Sequence, residues 1–389
     1  SMDFAFTEEQ QMIRDTAEAF LKASSTSAAV RSAMASQQGF APELWQTICT
    51  DMYWQALHIP ENYGGMGLGY VELVAVLEQM GRYLLCAPYM STVAMATNAL
   101  LVAGTEAQKS YYLSQVVEGK IASLAFNSGS RDWDATAVTA TYRREGSEYI
   151  LSGNYRYVLD GQNADFLVLA AREEGSTAEQ GISLFVCPAS LNGIHCLTLP
   201  TMDQTRRQAS VSLDNLRLDD SAVMGAAGQA GPQLNKILNL ATIALAAEQA
   251  GGMQEVLDAS VEYSKSRSQF GRTIAGFQAI KHKAADMMLR SEVARSAVYY
   301  AACVADEALN DGPLAEELSE AASIAKSHCS EAYFKNAGEA LQIHGGVGFT
   351  WEYDVHLYFK RAKASEHFLG DSGYHRERVA KILLDALDA

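Results

Sequence analysis

A short stretch in the C-terminal third combines an arginine, an aromatic residue and two glycines: Arg267-Ser268-Gln269-Phe270-Gly271, followed by Gly276. Arginine presents a fork of N–H donors that matches a phosphate group, and glycine lets a ligand approach the backbone closely. These residue types therefore suit a diphosphate. Apolar residues three or four positions apart lie on both sides, which predicts a helix entering the stretch and another leaving it. The alternative is an ordinary helix corner with a solvated arginine.

A second stretch, Leu341-Gln342-Ile343-His344-Gly345-Gly346-Val347-Gly348-Phe349, strengthens the case for a ligand site. Together the two stretches resemble the flavin-binding motifs R-x-x-F-G…F-Q and Q-x-x-G-G-x-G-[FY] of the acyl-CoA dehydrogenase family. Earlier segments fit the same family: Ile59–Gly67 resembles its P-x-x-Y-G-G-x-G turn, and Gly104–Lys109 resembles its G-T-E-x-Q-K helix start. The resemblance covers nearly the whole chain.

The resemblance implies FAD as cofactor and marks six residues of the two motifs as contacts to it. It places Arg267 on the pyrophosphate, Phe270 near the adenine or the ring edge, and Gln342 with the two glycines along the diphosphate. In the family these contacts cross a dimer interface, so an oligomer is expected. The six residues are Arg267, Phe270, Gln278, Gln342, Gly345 and Gly346.

The family reaction is the α,β-dehydrogenation of an acyl-CoA thioester, in which a carboxylate removes the α proton and the flavin accepts the β hydrogen as hydride. Here the two family positions for that base carry Leu369 and Ala241, and neither side chain accepts a proton. Three carboxylates nearby in sequence are candidate substitutes for the base: Asp371, Glu366 and Glu248. Asp371 is placed first, by analogy with enzymes in which the catalytic base has moved to another position in the chain. Each is otherwise a solvated or salt-paired carboxylate.

The half of the site that contacts the flavin ring also departs from the family. The T-E-P-x-A-G-S-D loop reads Asn127-Ser128-Gly129-Ser130-Arg131-Asp132-Trp133-Asp134, so only the last aspartate is kept and Trp133 replaces a small serine. The W-I-T-N-G segment reads Tyr157-Val158-Leu159-Asp160-Gly161, where Leu159 lacks the threonine hydroxyl. We retain Asn127, Tyr157 and Leu159 as weaker cofactor candidates, with core packing as the alternative.

Composition narrows the function classes. The chain has 389 residues, 48% of them hydrophobic, and 30 Lys+Arg against 46 Asp+Glu give a net charge of −16. That balance argues against nucleic acid as a partner. Six scattered cysteines without C-x-x-C pairs indicate reduced thiols in a cytoplasmic protein, and we expect no metal because His344 and His282 lack metal-spaced partners. No apolar run is long enough for a membrane span, and no signal peptide is visible.

The periodicity predicts three domains of α+β class. Helical spacing dominates residues 1–120, where Thr7 and Thr105 are expected N-caps, and again residues 227–389. Between them, residues 121–226 alternate with period two, beginning near Thr136, which predicts an antiparallel sheet or small barrel. The order matches the family: an N-terminal helical domain, a middle antiparallel β domain and a C-terminal four-helix bundle.

Three functional hypotheses follow. The first is an FAD-dependent acyl-CoA dehydrogenase of fatty acid or steroid side-chain catabolism, a homodimer or homotetramer with electron-transfer flavoprotein as acceptor. The second is a subunit that completes the flavin site of an unlike acyl-CoA dehydrogenase chain, with which it forms a heterotetramer. One family branch, linked to bacterial breakdown of steroid side chains, has such heteromeric members and resembles this sequence. The third is a flavin oxidase or monooxygenase of the same fold.

Overall fold

A computed structural model describes residues 5–267, 274–350 and 352–389. The chain forms two compact units. The first comprises Ser1–Ser32, Tyr70–Leu85 and Thr242–Ala389, and the second comprises Ala33–Gly69 and Cys86–Ala241. The first unit is helical, and the second contains the sheet together with helical segments.

Twelve α-helices are present in the described part of the chain: α1 Glu8–Ser24, α2 Ser27–Ala35, α3 Pro42–Thr47, α4 Tyr70–Arg82, α5 Asn98–Ala103, α6 Glu106–Gln108, α7 Ser114–Val117, α8 Gly231–Arg267, α9 Ile274–Leu309, α10 Leu318–His344, α11 Val355–His367 and α12 Ser372–Leu387. π-Helical segments at Ile48–Met52, Met90–Thr97 and Lys109–Leu113 extend or precede some of them. The predicted N-caps are confirmed, because Thr7 and Thr105 each form a reciprocal capping box with the glutamine three residues later.

The first unit is a bundle in which α10 packs against α9, α11 and α12, while α4 packs against α1 and α9. Buried residues of α8, α9, α10 and α11 form one apolar cluster that includes Val256, Met287, Ile343 and Val355. The cluster brings the end of α10 close to α8 and α9. That end carries the Gly345-Gly346 pair of the second motif.

The second unit contains eight strands in one sheet: β1 Ala122–Ala125, β2 Thr141–Glu145, β3 Glu148–Leu159, β4 Phe166–Glu173, β5 Ile182–Pro188, β6 Ile194–Thr198, β7 Gln208–Asp219 and β8 Val223–Met224. The order is β6-β7-β3-β2-β4-β5-β8, with β1 beside β4. The predicted antiparallel pairing holds for β2–β3, β3–β7, β4–β5, β5–β8 and β6–β7. The sheet is nevertheless mixed, because β1 and β2 both run parallel to β4.

The sheet departs from the sequence prediction at its start. The alternation beginning at Thr136 predicts a strand, but residues 135–137 form a 3₁₀ turn and β2 begins only at Thr141. Asp134 caps that turn by accepting a hydrogen bond from the Thr136 backbone N–H at 2.9 Å. The alternation therefore does not mark a hydrogen-bonded strand there, and it does not follow burial either, because Thr136 is exposed and Ala137 is buried.

Candidate functional site

The two glycines of the second motif lie at the C-terminal end of α10. Gly345 ends the helix with φ of 60° and ψ of −145°, and its N–H donates to the carbonyls of Gln342 and Leu341. Both Gly345 and Gly346 are exposed, and a Cβ added at either would meet no atom within 4 Å. Open space beside exposed glycine backbone is what a close-lying diphosphate needs. This side of the predicted site therefore fits the cofactor.

Gln342, one turn before the glycines, is exposed and bound to a lysine of the neighbouring helix. The ammonium of Lys283 on α9 donates to Oε1 of Gln342 at 2.9 Å. Because an ammonium only donates, this contact fixes which end of the amide faces α9. The amide NH₂ of Gln342 is the end that remains for an anionic ligand.

The first motif is only partly described. Arg267 is the last residue of α8, and the structure describes its place in the helix but not its side chain. Phe270 lies outside the described residues. Gln278 is exposed in the first turns of α9, the helix that also carries Lys283. The roles of Arg267 at the pyrophosphate and of Phe270 near the adenine or the ring edge stay predictions.

The two positions expected for the catalytic base are both buried. Leu369 is 1% exposed and adopts φ of 63°, a left-handed conformation that is uncommon for a leucine. Ala241 is 0% exposed within α8. The sequence prediction that neither position offers a proton acceptor stands, since the side chains are hydrocarbon.

Two of the three carboxylates near these positions, Glu248 and Asp371, are hydrogen-bonded to other groups. Glu248 accepts from Nη1 of Arg361 at 2.6 Å, and both side chains are buried. Asp371 caps α12 by accepting from the Tyr374 backbone N–H at 2.8 Å. Partial burial raises the pKa of Glu366, and the nearby ammonium of Lys326 opposes that rise.

Two buried side chains hold the turn that carries Leu369. Nζ of Lys326, on α10, donates to the carbonyls of Glu366 at 3.1 Å and Gly370 at 2.7 Å. His375, on α12, lies 2.7 Å from the carbonyl of Leu369, so Nε2 carries the proton. Burial lowers the pKa of His375 to about 3, which keeps the ring neutral. The turn thus keeps a fixed shape although Leu369, at its centre, carries no carboxylate.

The loop predicted to contact the flavin ring is closed on itself. The buried side chain of Asn127 accepts from the N–H groups of Gly129 at 2.6 Å and Ser130 at 2.9 Å. Its NH₂ group donates to the carbonyls of Ser130 at 3.4 Å and Asp132 at 3.1 Å. Both ends of the amide are therefore occupied within the loop.

The other ring-side residues also lie in the second unit, where Trp133 and Leu159 are buried and Tyr157 is partly exposed. Trp133 is 6% exposed and its ring lies 5.7 Å from that of Tyr157 and 6.1 Å from that of Phe126. Leu159 is buried, and Tyr157 adopts φ of 60° where the β3–β7 register shifts. The large Trp133 side chain, in place of the family serine, gives this side a poor fit to a flavin ring.

The histidines singled out in the sequence have structural contacts. His344 donates from Nδ1 to the carbonyl of Ala340 at 2.8 Å and stacks on Tyr263 at 4.3 Å. Burial lowers its pKa. His282 lies 3.9 Å from Asp286 on the same helix face. Among the described residues no three His, Cys, Asp or Glu side chains converge as a metal site.

Sequence reasoning missed four residues that surround these features: Lys283, Lys326, Arg361 and His375. A signal existed for Lys326, because the residues three and four positions away on the same face of α10 are all small and uncharged: Ala322, Ser323, Cys329 and Ser330. A charged residue on such a face predicts a buried partner. No comparable signal marks Arg361, whose partner lies 113 residues away.

Comparisons with known proteins agree with this architecture. Family models for the acyl-CoA dehydrogenase N-terminal domain and C-terminal domain match residues 7–120 and 232–384. Acyl-CoA dehydrogenase IpdE2 of Mycolicibacterium smegmatis is 33% identical over 365 residues, which are 94% of this chain and 95% of that protein. None of the described helices has the length and apolar composition needed to cross a membrane.

Solved structures show the same fold along almost the entire chain. Butyryl-CoA dehydrogenase from Megasphaera elsdenii superposes with a TM-score of 0.88 at 26% identity, covering 98% of this chain and 100% of that one. The ChsE4-ChsE5 complex from Mycobacterium tuberculosis gives a TM-score of 0.86 at 26% identity, covering 98% and 99%. With the family-model matches, these likenesses confirm the expected fold class, and the chain belongs to the acyl-CoA dehydrogenases, FAD-dependent oxidoreductases that dehydrogenate acyl-CoA thioesters.

Proposed function

We propose that this chain takes part in acyl-CoA dehydrogenation as one of two unlike subunits. It supplies the diphosphate side of a flavin site, and an unlike acyl-CoA dehydrogenase chain supplies the ring contacts and the catalytic carboxylate. The observation that carries the proposal is the state of the base positions. Leu369 and Ala241 are buried hydrocarbon, and Glu248 is held by Arg361.

The chemistry explains why this observation supports the proposal. The α proton of a thioester is weakly acidic, so a base must stand within hydrogen-bond reach of it and carry no tight partner of its own. Glu248 accepts a 2.6 Å hydrogen bond from the buried guanidinium of Arg361, so it already has a tight partner of its own. When bound, FAD supplies the hydride chemistry, and the protein supplies position and proton transfer.

The residues expected at the diphosphate and those expected at the flavin ring both support a site shared between two unlike chains. Gln342, Gly345 and Gly346 are exposed and leave room for a diphosphate. In contrast, the side-chain amide of Asn127 is hydrogen-bonded to backbone groups of its own loop, and Trp133 packs against aromatic rings. A subunit that completes its partner's flavin site is expected to show this combination. Its diphosphate-binding residues are open, and its ring-contact residues are occupied by its own side chains.

The relatives make a heteromeric arrangement a reasonable expectation. One of the similar structures is a complex named for two proteins, ChsE4 and ChsE5, and another is the Tcur3481-Tcur3483 steroid acyl-CoA dehydrogenase, 26% identical over 98% of this chain. We therefore propose a steroid-derived or other bulky acyl-CoA as substrate class. Electron-transfer flavoprotein is the proposed acceptor, as expected from the family, and the cytoplasm is the proposed compartment.

The competing arrangement is a homo-oligomer in which Asp371 acts as a relocated base. Asp371 is exposed at the start of α12, beside the turn that carries Leu369. Asparagine caps a helix about as well as aspartate, so Asp371→Asn removes the base without removing the cap. The substitution abolishes turnover if Asp371 is the base, and leaves turnover nearly intact if the carboxylate belongs to another chain.

The test compares the chain purified alone with the chain co-expressed with an acyl-CoA dehydrogenase encoded beside it. Turnover is measured with straight-chain and steroid-derived acyl-CoAs and an artificial electron acceptor. We expect the single chain to be nearly inactive and the pair to be active. Robust dehydrogenation by the pure single chain would end the proposal of an unlike partner.

A first prediction concerns Arg267, which ends α8 directly before the first motif. We expect Arg267→Ala to weaken flavin retention by about 1.5–3 kcal/mol, because a hydrogen bond between a guanidinium and a phosphate is charge-assisted. The measurement is the FAD content and the FAD dissociation constant of the assembly that holds flavin. Unchanged values would remove Arg267 from the site.

A further inference from the structure

The Lys283–Gln342 contact has a geometry that matters for an anionic ligand. Lys283 reaches from α9 to the last turn of α10, and its ammonium lies 2.9 Å from Oε1 of Gln342. Lys283 is partly exposed and Gln342 is exposed, so solvent or a ligand reaches both. The contact holds the acceptor end of the amide toward α9 and leaves its donor end outward.

The surroundings favour a cation at this place, in addition to the Arg267 expected at the pyrophosphate. The diphosphate side lies at the C-terminal end of α10, where the helix dipole carries partial negative charge. The chain as a whole carries a net charge of −16. Both features repel a diphosphate, and Gly345 and Gly346 offer only backbone. A nearby ammonium offsets the repulsion and adds attraction to phosphate oxygens.

We infer that Lys283 is a further binding and positioning residue of the diphosphate side, which orients the Gln342 amide and supplies positive charge to the dinucleotide diphosphate. The inference rests on the proposed function, because it takes the end of α10 as the diphosphate side. Without Lys283 the Gln342 amide is free to turn its carbonyl oxygen toward the ligand, where it repels phosphate oxygens.

The experiment titrates FAD into the deflavinated assembly, whichever subunits hold the flavin, and follows flavin fluorescence. Lys283→Met keeps the length of the side chain but removes the charge, Lys283→Arg keeps the charge, and Lys335→Met removes an exposed lysine that pairs with Glu331 elsewhere on α10. We expect Lys283→Met to raise the FAD dissociation constant about tenfold, and the other two variants to stay within about twofold.

Two further measurements separate binding from folding. The difference between the wild type and Lys283→Met should shrink as salt rises from about 0.02 M to 0.5 M, since salt screens an exposed charge. Gln342→Leu should raise the dissociation constant too. The double variant should lose less than the product of the two single losses, because the two residues act as a pair. Circular dichroism and the thermal midpoint verify that each variant is folded.

The outcomes distinguish this inference from the proposed function. If Arg267→Ala weakens FAD binding and Lys283→Met does not, the inference on Lys283 is overturned and the proposed function stands. If neither substitution changes FAD binding, the diphosphate side itself is misassigned and both fail. Fully multiplicative losses in the double variant would limit Lys283 to a general charge effect and overturn its role in orienting Gln342.

Discussion

At the scale of single residues, the position of each carboxylate says more than its presence in the sequence. Glu248, Glu366 and Asp371 all lie near the expected base positions along the chain. Glu248 is bound to buried Arg361, and Asp371 caps a helix. A carboxylate held by a buried guanidinium is part of the core, since removing one partner leaves an uncompensated charge.

A second prediction follows from the Glu248–Arg361 pair. We expect Glu248→Gln to destabilise the fold by about 3–5 kcal/mol, because Arg361 would keep its charge in a buried site without its partner. Glu331→Gln is the matched control, since Glu331 pairs with Lys335 and Arg376 at the surface and should change stability by about 1 kcal/mol or less.

The measurement is the thermal midpoint, taken for wild type and variants in the same oligomeric state. Turnover at a temperature where Glu248→Gln is folded should persist if the residue is structural. A folded but inactive Glu248→Gln would instead make Glu248 a catalytic candidate again.

At the scale of elements, α4 and α8 cross with their backbones in direct contact through glycines. A Cβ added at Gly251 would lie 1.7 Å from the carbonyl oxygen of Glu78, and one added at Gly81 would lie 1.9 Å from that of Glu248. No side chain fits between the helices at this point. The crossing fixes the segment of α8 that carries Glu248 relative to α4.

The third prediction tests that crossing. We expect Gly251→Ala to destabilise the fold by about 1–3 kcal/mol or more, because the helices must move apart to admit a methyl group. Gly338→Ala, in the interior of α10, is the control. Its added Cβ would meet only Phe359 at 3.9 Å, so helix propensity should stabilise it by about 0.5–1 kcal/mol. Equal thermal midpoints for the two variants would contradict the close crossing.

The turn of residues 366–371 depends on α10 and α12 through buried Lys326 and His375. Nζ of Lys326 has three acceptors, Ser330 Oγ at 3.0 Å and the carbonyls of Glu366 and Gly370, which match the three donors of the charged ammonium. Burial lowers the pKa of Lys326 to about 7, with the carboxylate of Glu366 opposing the shift. Charged and neutral forms are thus balanced near neutral pH.

The fourth prediction is a dependence of stability on pH that belongs to Lys326. Its pKa is about 7 when folded, below the ordinary value of 10.5 for an unfolded chain. Between these pH values the unfolded chain binds more protons than the folded chain, so the free energy of unfolding rises with pH. Below about pH 7 both states are protonated and this gain in stability is absent.

The test for Lys326 compares slopes and not absolute stabilities, because Lys326→Met also leaves carbonyls without a donor. We expect the wild type to gain stability relative to Lys326→Met as pH rises from about 7 to 9.5. The thermal midpoints of both proteins across that range provide the measurement. Parallel pH profiles would show that the lysine keeps an ordinary pKa in the folded chain.

The sequence predicted local features and failed where partners are distant. The capping residues Thr7 and Thr105 and the end of α10 at Gly345 depend on neighbours within a few positions, and they were predicted correctly. The contacts of Lys326 join residues 40 and 44 positions apart, and those of Arg361 span 113. Periodicity and propensity carry no information about such pairs, so the turn around Leu369 needed the structure.

At the scale of the whole molecule, the chain has one group of residues that is open to a diphosphate. The group expected to contact the flavin ring is instead packed within the chain. Gln342, Gly345 and Gly346 are open at the end of α10, whereas Trp133 and Leu159 are buried in the second unit. Under the proposed function, a flavin requires one diphosphate side from this chain and one ring side from an unlike chain. On this proposal, two copies of this chain alone provide no ring side.

The last prediction is therefore a stoichiometry. An assembly of equal numbers of this chain and its partner should hold one FAD for every two chains, because only the partner offers a ring side. Flavin absorbance against protein concentration, with subunit masses from native mass spectrometry, gives the ratio. Trp133→Ser alone should not raise the ratio, since Asn127 still closes its loop through bonds to Gly129 and Ser130. One FAD per chain, or a yellow assembly of this chain alone, would mean that the ring side opens, and Asp371 would become the leading base.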